Sequence, residues 1–278
     1  MLSPRHTKHS SLREFKMKPL SRIAIYLHAL VIYALLFYSA SLFAKTDSQT
    51  FDVVLGGTLT VRTDAGSIDI STHDEAVIRL EVSVENREGD TFTYRHELTN
   101  GNLTVIGEIE DNNNWVRNLK VEFKLRIPVD YNVILDTSGG SLSIEDLKGH
   151  VNARTSGGSI SVGNVVGDVN LNTSGGSINT DTITGNLNAH TSGGSINITV
   201  NKQLTEDAKL TTSGGSITAY LMEKIQIELD ASTSGGRVKS DFSVAGRVKK
   251  HSVKGLINGG GPKLTLTTSG GGVSIKSL

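Results

Sequence analysis

The residues able to do chemistry in this chain are its 28 acids, eight histidines and a recurring serine, and cysteine is absent. Without cysteine there are no disulfides, thiolate metal sites or thiol nucleophiles. The string Thr-Ser-Gly-Gly begins at Thr137, Thr155, Thr173, Thr191, Thr212, Thr233 and Thr268. None of its serines lies in a Gly-x-Ser-x-Gly elbow, and seven equivalent serines read as a structural corner rather than as nucleophiles. The Gly-Gly pairs are followed by neither Gly-Lys-Ser/Thr nor a helix start, so they do not cradle phosphate. His150 and His190 stand five and one residues before their motif threonines, so stacking does not align them. His73, His96 and His251 have no partner at ligand spacing, and surface histidine is the expectation for all five. Calcium-binding β-rolls carry an aspartate in every turn, whereas Ser-Ile followed by Ser, Asn or Thr comes after most Gly-Gly pairs here. The oxygen-rich residues 108–114 lack the spacing of a calcium loop and read as a solvated hairpin tip. No metal or cofactor is implied.

The charged groups are sorted along the chain. A β-helical polysaccharide lyase or hydrolase needs acids converging from adjacent turns. The outward acids Glu145, Asp146, Asp168, Asp181, Glu206, Asp207, Glu228 and Asp230 are scattered instead. The bases are not. Arg237, Lys239, Arg247, Lys249, Lys250, Lys254 and Lys263 fall within 27 residues. Residues 233–278 hold 8 bases and one acid, net +7, while residues 45–232 hold 14 bases and 26 acids, net −12. This cluster is either a solvated end that discourages further stacking, or a docking surface for lipid headgroups, lipopolysaccharide or an acidic partner. Nucleic acid is excluded as a partner, since the cluster has no aromatic platform and the chain is read as exported.

The elements that position these residues follow from the repeat. Successive motifs are 18, 18, 18, 21, 21 and 35 residues apart. With each motif threonine as position 0, aliphatic residues recur at −4 (Val133, Val151, Val169, Leu187), at −2 (Leu135, Ala153, Leu171, Ala189) and at +5 (Leu142, Ile160, Ile178, Ile196). Position +7 is mostly aliphatic, with Thr180 an exception. Alternation of this kind is the signature of half-buried strands. Its phase slips by one residue across Ser-Gly-Gly-Ser, so the chain must turn there, and Gly-Gly is expected to supply backbone angles that other residues resist. A second glycine corner stands at Gly149, Gly167 and Gly185. Such coils bury their apolar sides only by stacking at ~4.8 Å, which makes Asn152, Asn170 and Asn188 an external amide ladder. The fold class is therefore all-β: a parallel β-solenoid, or single-stranded β-helix, of 18–21-residue rungs over residues 133–278.

Residues 45–132 hold one degenerate copy, Thr63-Asp64-Ala65-Gly66-Ser67-Ile68, and then longer alternating runs without the repeat. These runs read as an antiparallel cap over the open end, with a hairpin turn at Asn100-Gly101. Residues 1–44 form a targeting segment, with a basic flank, an apolar run over 23–44 and small residues at its end. Cleavage after Ala44 is the preferred reading and an uncleaved anchor the alternative, while Met17 is a second plausible start. Either way the remainder lies in the periplasm or at the cell surface.

The repeated Thr-Ser-Gly-Gly-Ser-Ile, the opening Gly56-Gly57-Thr58-Leu59-Thr60-Val61, the run Leu125-Arg126-Ile127-Pro128-Val129-Asp130 and the ending Ile257-Asn258-Gly259-Gly260-Gly261 resemble the DUF4097 family. The resemblance spans residues 51–278 and implies an exported bacterial β-strand-repeat protein of adhesin type. Function is read as a non-enzymatic binding or scaffolding module facing envelope glycan, lipid or protein. A carbohydrate-active enzyme and a periplasmic partner of a regulatory complex are the alternatives. Membrane contact is expected only through an uncleaved N-terminus or the basic end.

Overall fold

The computed structural model describes residues 43–86, 92–110 and 119–278. The targeting segment up to residue 42 and residues 111–114 of the oxygen-rich run lie outside them. Among the described residues every regular element is a strand, and no helix is long and apolar enough to cross a membrane. The strands form sheets of 11, 12 and 3 strands, most of them paired in parallel.

The repeat becomes pairing in register. Val151–Thr155, Val169–Thr173 and Leu187–Thr191 lie side by side in the 12-stranded sheet, offset for offset. Ile160–Val162, Ile178–Thr180 and Ile196–Val200 do the same in the 11-stranded sheet, so Ile160, Ile178 and Ile196 form one fully buried column. A third strand in the 18-residue coils was not legible as a strand. Leu147–Lys148, Val165–Val166 and Ile183–Thr184 form the small sheet and bury Leu147, Val165 and Ile183. Two residues are too few to show a period.

The corner meets the sequence expectation only in part, since Gly140 takes φ of 138° and the later corner at Thr173 does not follow it. Neither Gly175 nor Gly176 takes a positive φ. Glycine is needed at the second position because the coils touch there: a Cβ on Gly176 would stand 2.1 Å from the Gly158 carbonyl oxygen, whereas one on Gly175 would stand 3.3 Å from that of Gly157. The motif threonine also turns inward. Thr155, Thr173 and Thr191 are buried, continuing the alternation by one more residue. Thr173 Oγ1 donates to Gly158 O of the preceding coil at 2.8 Å and accepts the Gly176 N–H of its own coil at 3.3 Å. Thr191 repeats both bonds with Gly176 and Gly194.

Both ends depart from simple coil order. Lys263–Thr268 inserts between Ala208–Thr212 and Ile227–Thr233, and Val273–Ser277 inserts between Ile217–Leu221 and Val238–Ser240. The last motif in the chain is thus the penultimate layer of the stack. The 35-residue spacing holds an antiparallel hairpin, Ala245–Lys249 with Ser252–Ile257, that extends the 12-stranded sheet. The other end mirrors this. Thr58–Thr63 and Ser67–His73 lie between Asn132–Thr137/Leu142–Ile144 and a further layer made by Asn102–Ile109 and Lys120–Pro128. That layer corrects the expected antiparallel cap: its strands run parallel to the first copy, although it has no Gly-Gly corner. Only Phe43–Asp52, Val77–Asn86 and Phe92–Thr99 beyond it are antiparallel. Asn100 and Gly101 take φ of 51° and 77°, as the expected hairpin turn requires.

Two stability effects follow. Gly176→Ala forces stacked backbones apart and is expected to cost several kcal/mol, while Gly175→Ala stays within about 1 kcal/mol. Urea denaturation of the two variants checks this, and equal midpoints refute the contact argument. Thr180 Oγ1 is buried without a hydrogen-bond partner and stands in register with Val162 and Ile198. Thr180→Val is therefore expected to stabilise the fold by roughly 1 kcal/mol, a result that an unchanged or lowered melting temperature contradicts.

Candidate functional site

The outward positions form rows that run across the coils. On the 12-stranded sheet, Asn152, Asn170 and Asn188 are in register, and Asn170 Nδ2 donates to Asn152 Oδ1 at 3.4 Å. On the 11-stranded sheet, Ser143, Ser161, Asn179, Asn197 and Thr218 share a row, with Asn197 Nδ2 donating to Asn179 Oδ1 at 3.0 Å. Beside the corner, the backbone N–H groups of Ser177 and Ser195 donate to Oγ of Ser159 and Ser177, each at 3.2 Å.

A further row was missed in the sequence because its residues differ in type. Five positions before the motif threonine stand Asn132, His150, Asp168 and Asn186. His150 N–H donates to Asn132 Oδ1 at 2.9 Å, Asp168 N–H to His150 Nδ1 at 3.3 Å, and Asn186 N–H to Asp168 Oδ1 at 3.0 Å. What they share is an acceptor at the δ position, which extends the backbone ladder to the next coil. That shared geometry was the available signal.

Three of the scattered acids have comparable tasks. Asp146 Oδ1 accepts Asn164 N–H at 2.8 Å, Glu145 Oε2 accepts Thr72 N–H at 3.1 Å, and Asp207 Oδ1 accepts Lys263 N–H at 2.8 Å. The shallow groove along the Asn179–Asn197 row, lined also by Ser161, Thr199 and Tyr220, contains a single acid, Asp181. Among the described residues no group of three or more His, Asp or Glu is placed to hold a metal ion.

The structure divides the seven sequence-selected bases. Lys254 pairs with Asp230 at 2.9 Å, and Lys263 lies 3.9 Å from Glu228. Arg247 and Lys249 stand on the outermost strand, Lys250 in the turn after it, and Arg237 and Lys239 on or beside the last strand of the 11-stranded sheet.

The opposite end is closed by contacts between the two large sheets. Tyr94 Oη donates to Asp47 Oδ2, and the Phe51 and His96 rings meet edge-to-face at 4.9 Å. Lys45, Gln49, Val82 and Phe92 line the cleft around them. Burial and then the Asp47 carboxylate push the Tyr94 hydroxyl up to about 12. Asp47 is lowered, mainly by the hydrogen bond from Tyr94.

A family model described as Toastrack DUF4097 matches residues 118–276. The chain belongs to the Toastrack DUF4097 family. Solved structures similar to it include a candidate cell adhesion protein from Clostridium sporogenes, with 13% identity over 85% of this chain and 100% of that one and a TM-score of 0.43. A candidate adhesin from Bacteroides fragilis shares 12% identity over 84% and 97%, with a TM-score of 0.27. A candidate lipid binding protein from Parabacteroides distasonis shares 13% over 84% and 97%, with a TM-score of 0.35. No curated protein matches the chain.

The Toastrack match begins at residue 118, so the Asp47–Tyr94 contact belongs to the segment before it. The contact has a defined pH window. A tyrosine whose folded pKa is raised contributes stability in full below its unfolded value near 10, and loses it as pH climbs through about 12. Hydrogen exchange of strand Phe43–Asp52 is expected to accelerate across that window in the native protein more than in Tyr94→Phe. Parallel acceleration in both would discard the role of the phenol.

Proposed function

We propose that this Toastrack protein is a non-enzymatic β-solenoid of the bacterial envelope that binds or scaffolds through its laddered faces, in an adhesin-like manner. In this reading residues 1–44 export or anchor the chain, residues 45–132 start the stack, and residues 133–278 carry the repeating surface in the periplasm or on the cell surface. The observation that carries the proposal is the in-register rows of uncharged amide and hydroxyl groups from successive coils. Spaced at ~4.8 Å, they suit shallow, repeated contacts with a polyhydroxylated chain such as an envelope glycan better than a deep small-molecule pocket.

The enzyme alternative requires acids free to act on a substrate. Here Glu145, Asp146, Asp168 and Asp207 each accept a backbone N–H. That use favours binding over catalysis.

A screen of glycans and envelope components against the exported protein tests the reading, with N-terminal sequencing to define the exported form. Retention of a linear glycan is expected, with Asn179→Ala/Asn197→Ala weakening it by roughly tenfold, about two neutral hydrogen bonds. Retention indifferent to this double change, or turnover of the glycan, would reject the proposal.

A further inference from the structure

Five cations gather where the stack ends. Arg247 and Lys249 stand on Ala245–Lys249, every residue of which is exposed. The Lys250 carbonyl accepts the Val238 N–H at 2.9 Å, which sets Lys250 beside Arg237 and Lys239. None of the five has an ion-pair partner among the described residues, in contrast to Lys254 and Lys263. The only acid after Thr233 is Asp241.

Among these cations stands an exposed apolar side chain. Val248, between Arg247 and Lys249, is 65% exposed, whereas its cross-strand partner Val253 is buried. The 12-stranded sheet continues for two strands beyond Ile227–Thr233, while the 11-stranded sheet stops at Val238–Ser240. No strand of the second sheet therefore faces Val248. An edge that needs only to repel further pairing is served by charge alone. An exposed valine flanked by cations instead fits an interface where an apolar group meets the acyl boundary and the cations meet headgroups.

We propose that this end docks onto a bilayer surface rich in anionic phospholipid headgroups. The orientation follows from charge. Residues 45–232 carry net −12, so the flanks of the stack are repelled and attachment is end-on. The edge strand Phe43–Asp52 lies at the far side of the 11-stranded sheet, about 48 Å away at the usual strand spacing of ~4.8 Å. This goes beyond the glycan reading and uses a different surface, so each can fail without the other.

The test is co-sedimentation of the exported protein, cleaved after its targeting segment as N-terminal sequencing verifies, with vesicles of phosphatidylcholine and phosphatidylglycerol in equal parts, against phosphatidylcholine alone, at low and high salt. Binding is expected only to the mixed vesicles, and it should weaken with salt, since exposed charges are screened within ~8 Å at physiological ionic strength. Replacing Arg247, Lys249 and Lys250 together by Gln should reduce partitioning by about a hundredfold, at roughly 1 kcal/mol per cation near the surface. Val248→Asn should reduce it several-fold while leaving the salt dependence intact. All four positions are exposed, so melting temperatures should match the parent and confirm that the variants are folded. Equal binding to both vesicle types, no binding, or full binding by the triple variant overturns the proposal. Unchanged binding by Val248→Asn overturns the apolar half of the proposal and leaves the headgroup charges as the whole attachment.

Discussion

A buried hydroxyl costs stability unless it finds partners inside the protein, and in this chain one such group fixes the corner of nearly every coil. The motif threonine faces inward, donating to the carbonyl of the second glycine one coil back and accepting the N–H of the second glycine in its own coil. Both partners would otherwise be backbone groups at a turn, where no strand ladder satisfies them. The approach that makes the donated bond possible also excludes a Cβ at that glycine. Threonine and the second glycine are therefore one unit, and the aliphatic columns on either side stay in register because the corner between them cannot shift.

The same economy governs the outside. Successive coils expose N–H groups at the points where strands begin, and a side chain from the coil before reaches each of them: Asn132 to His150, His150 to Asp168, Asp168 to Asn186. Glu145, Asp146, Asp168 and Asp207, which might suggest catalysis, are committed as acceptors. What remains for partners is the broad row of amides and hydroxyls, together with the charges that the stack leaves unneutralised at one end.

The aliphatic columns were legible because alternation and an 18-residue period survive in the sequence, so the inward faces at Val169, Leu171 and Ile178 could be read directly. The corner glycines were legible as a turn but not in their cause, since contact between coils leaves no mark on a single repeat. The δ-acceptor row was hidden because Asn, His and Asp look unrelated until geometry is considered. Of the seven bases, the pairing of Lys254 with Asp230 and the approach of Lys263 to Glu228 depend on neighbours 24 and 35 residues away in the chain, brought together by strand order. That order is set by which layer each strand joins, and the repeat makes all layers look alike. The sequence therefore showed that the coils stack but not that the last one slots inside.

The placement of that last coil has a consequence for how the molecule is made. During synthesis the layer at Ala208–Thr212 and the layer at Ile227–Thr233 emerge first, yet they are separated in the finished protein by Lys263–Thr268. Until Lys263–Thr268 has followed them, one seam near that end of the stack lacks its filling strand. A chain clipped before Lys263 loses an internal layer rather than a dispensable tail, and the two layers beside the gap are left with unsatisfied edges. Insertion of Lys263–Thr268 therefore acts as the closing step at this end of the stack, and a break in the chain just before it strikes the interior.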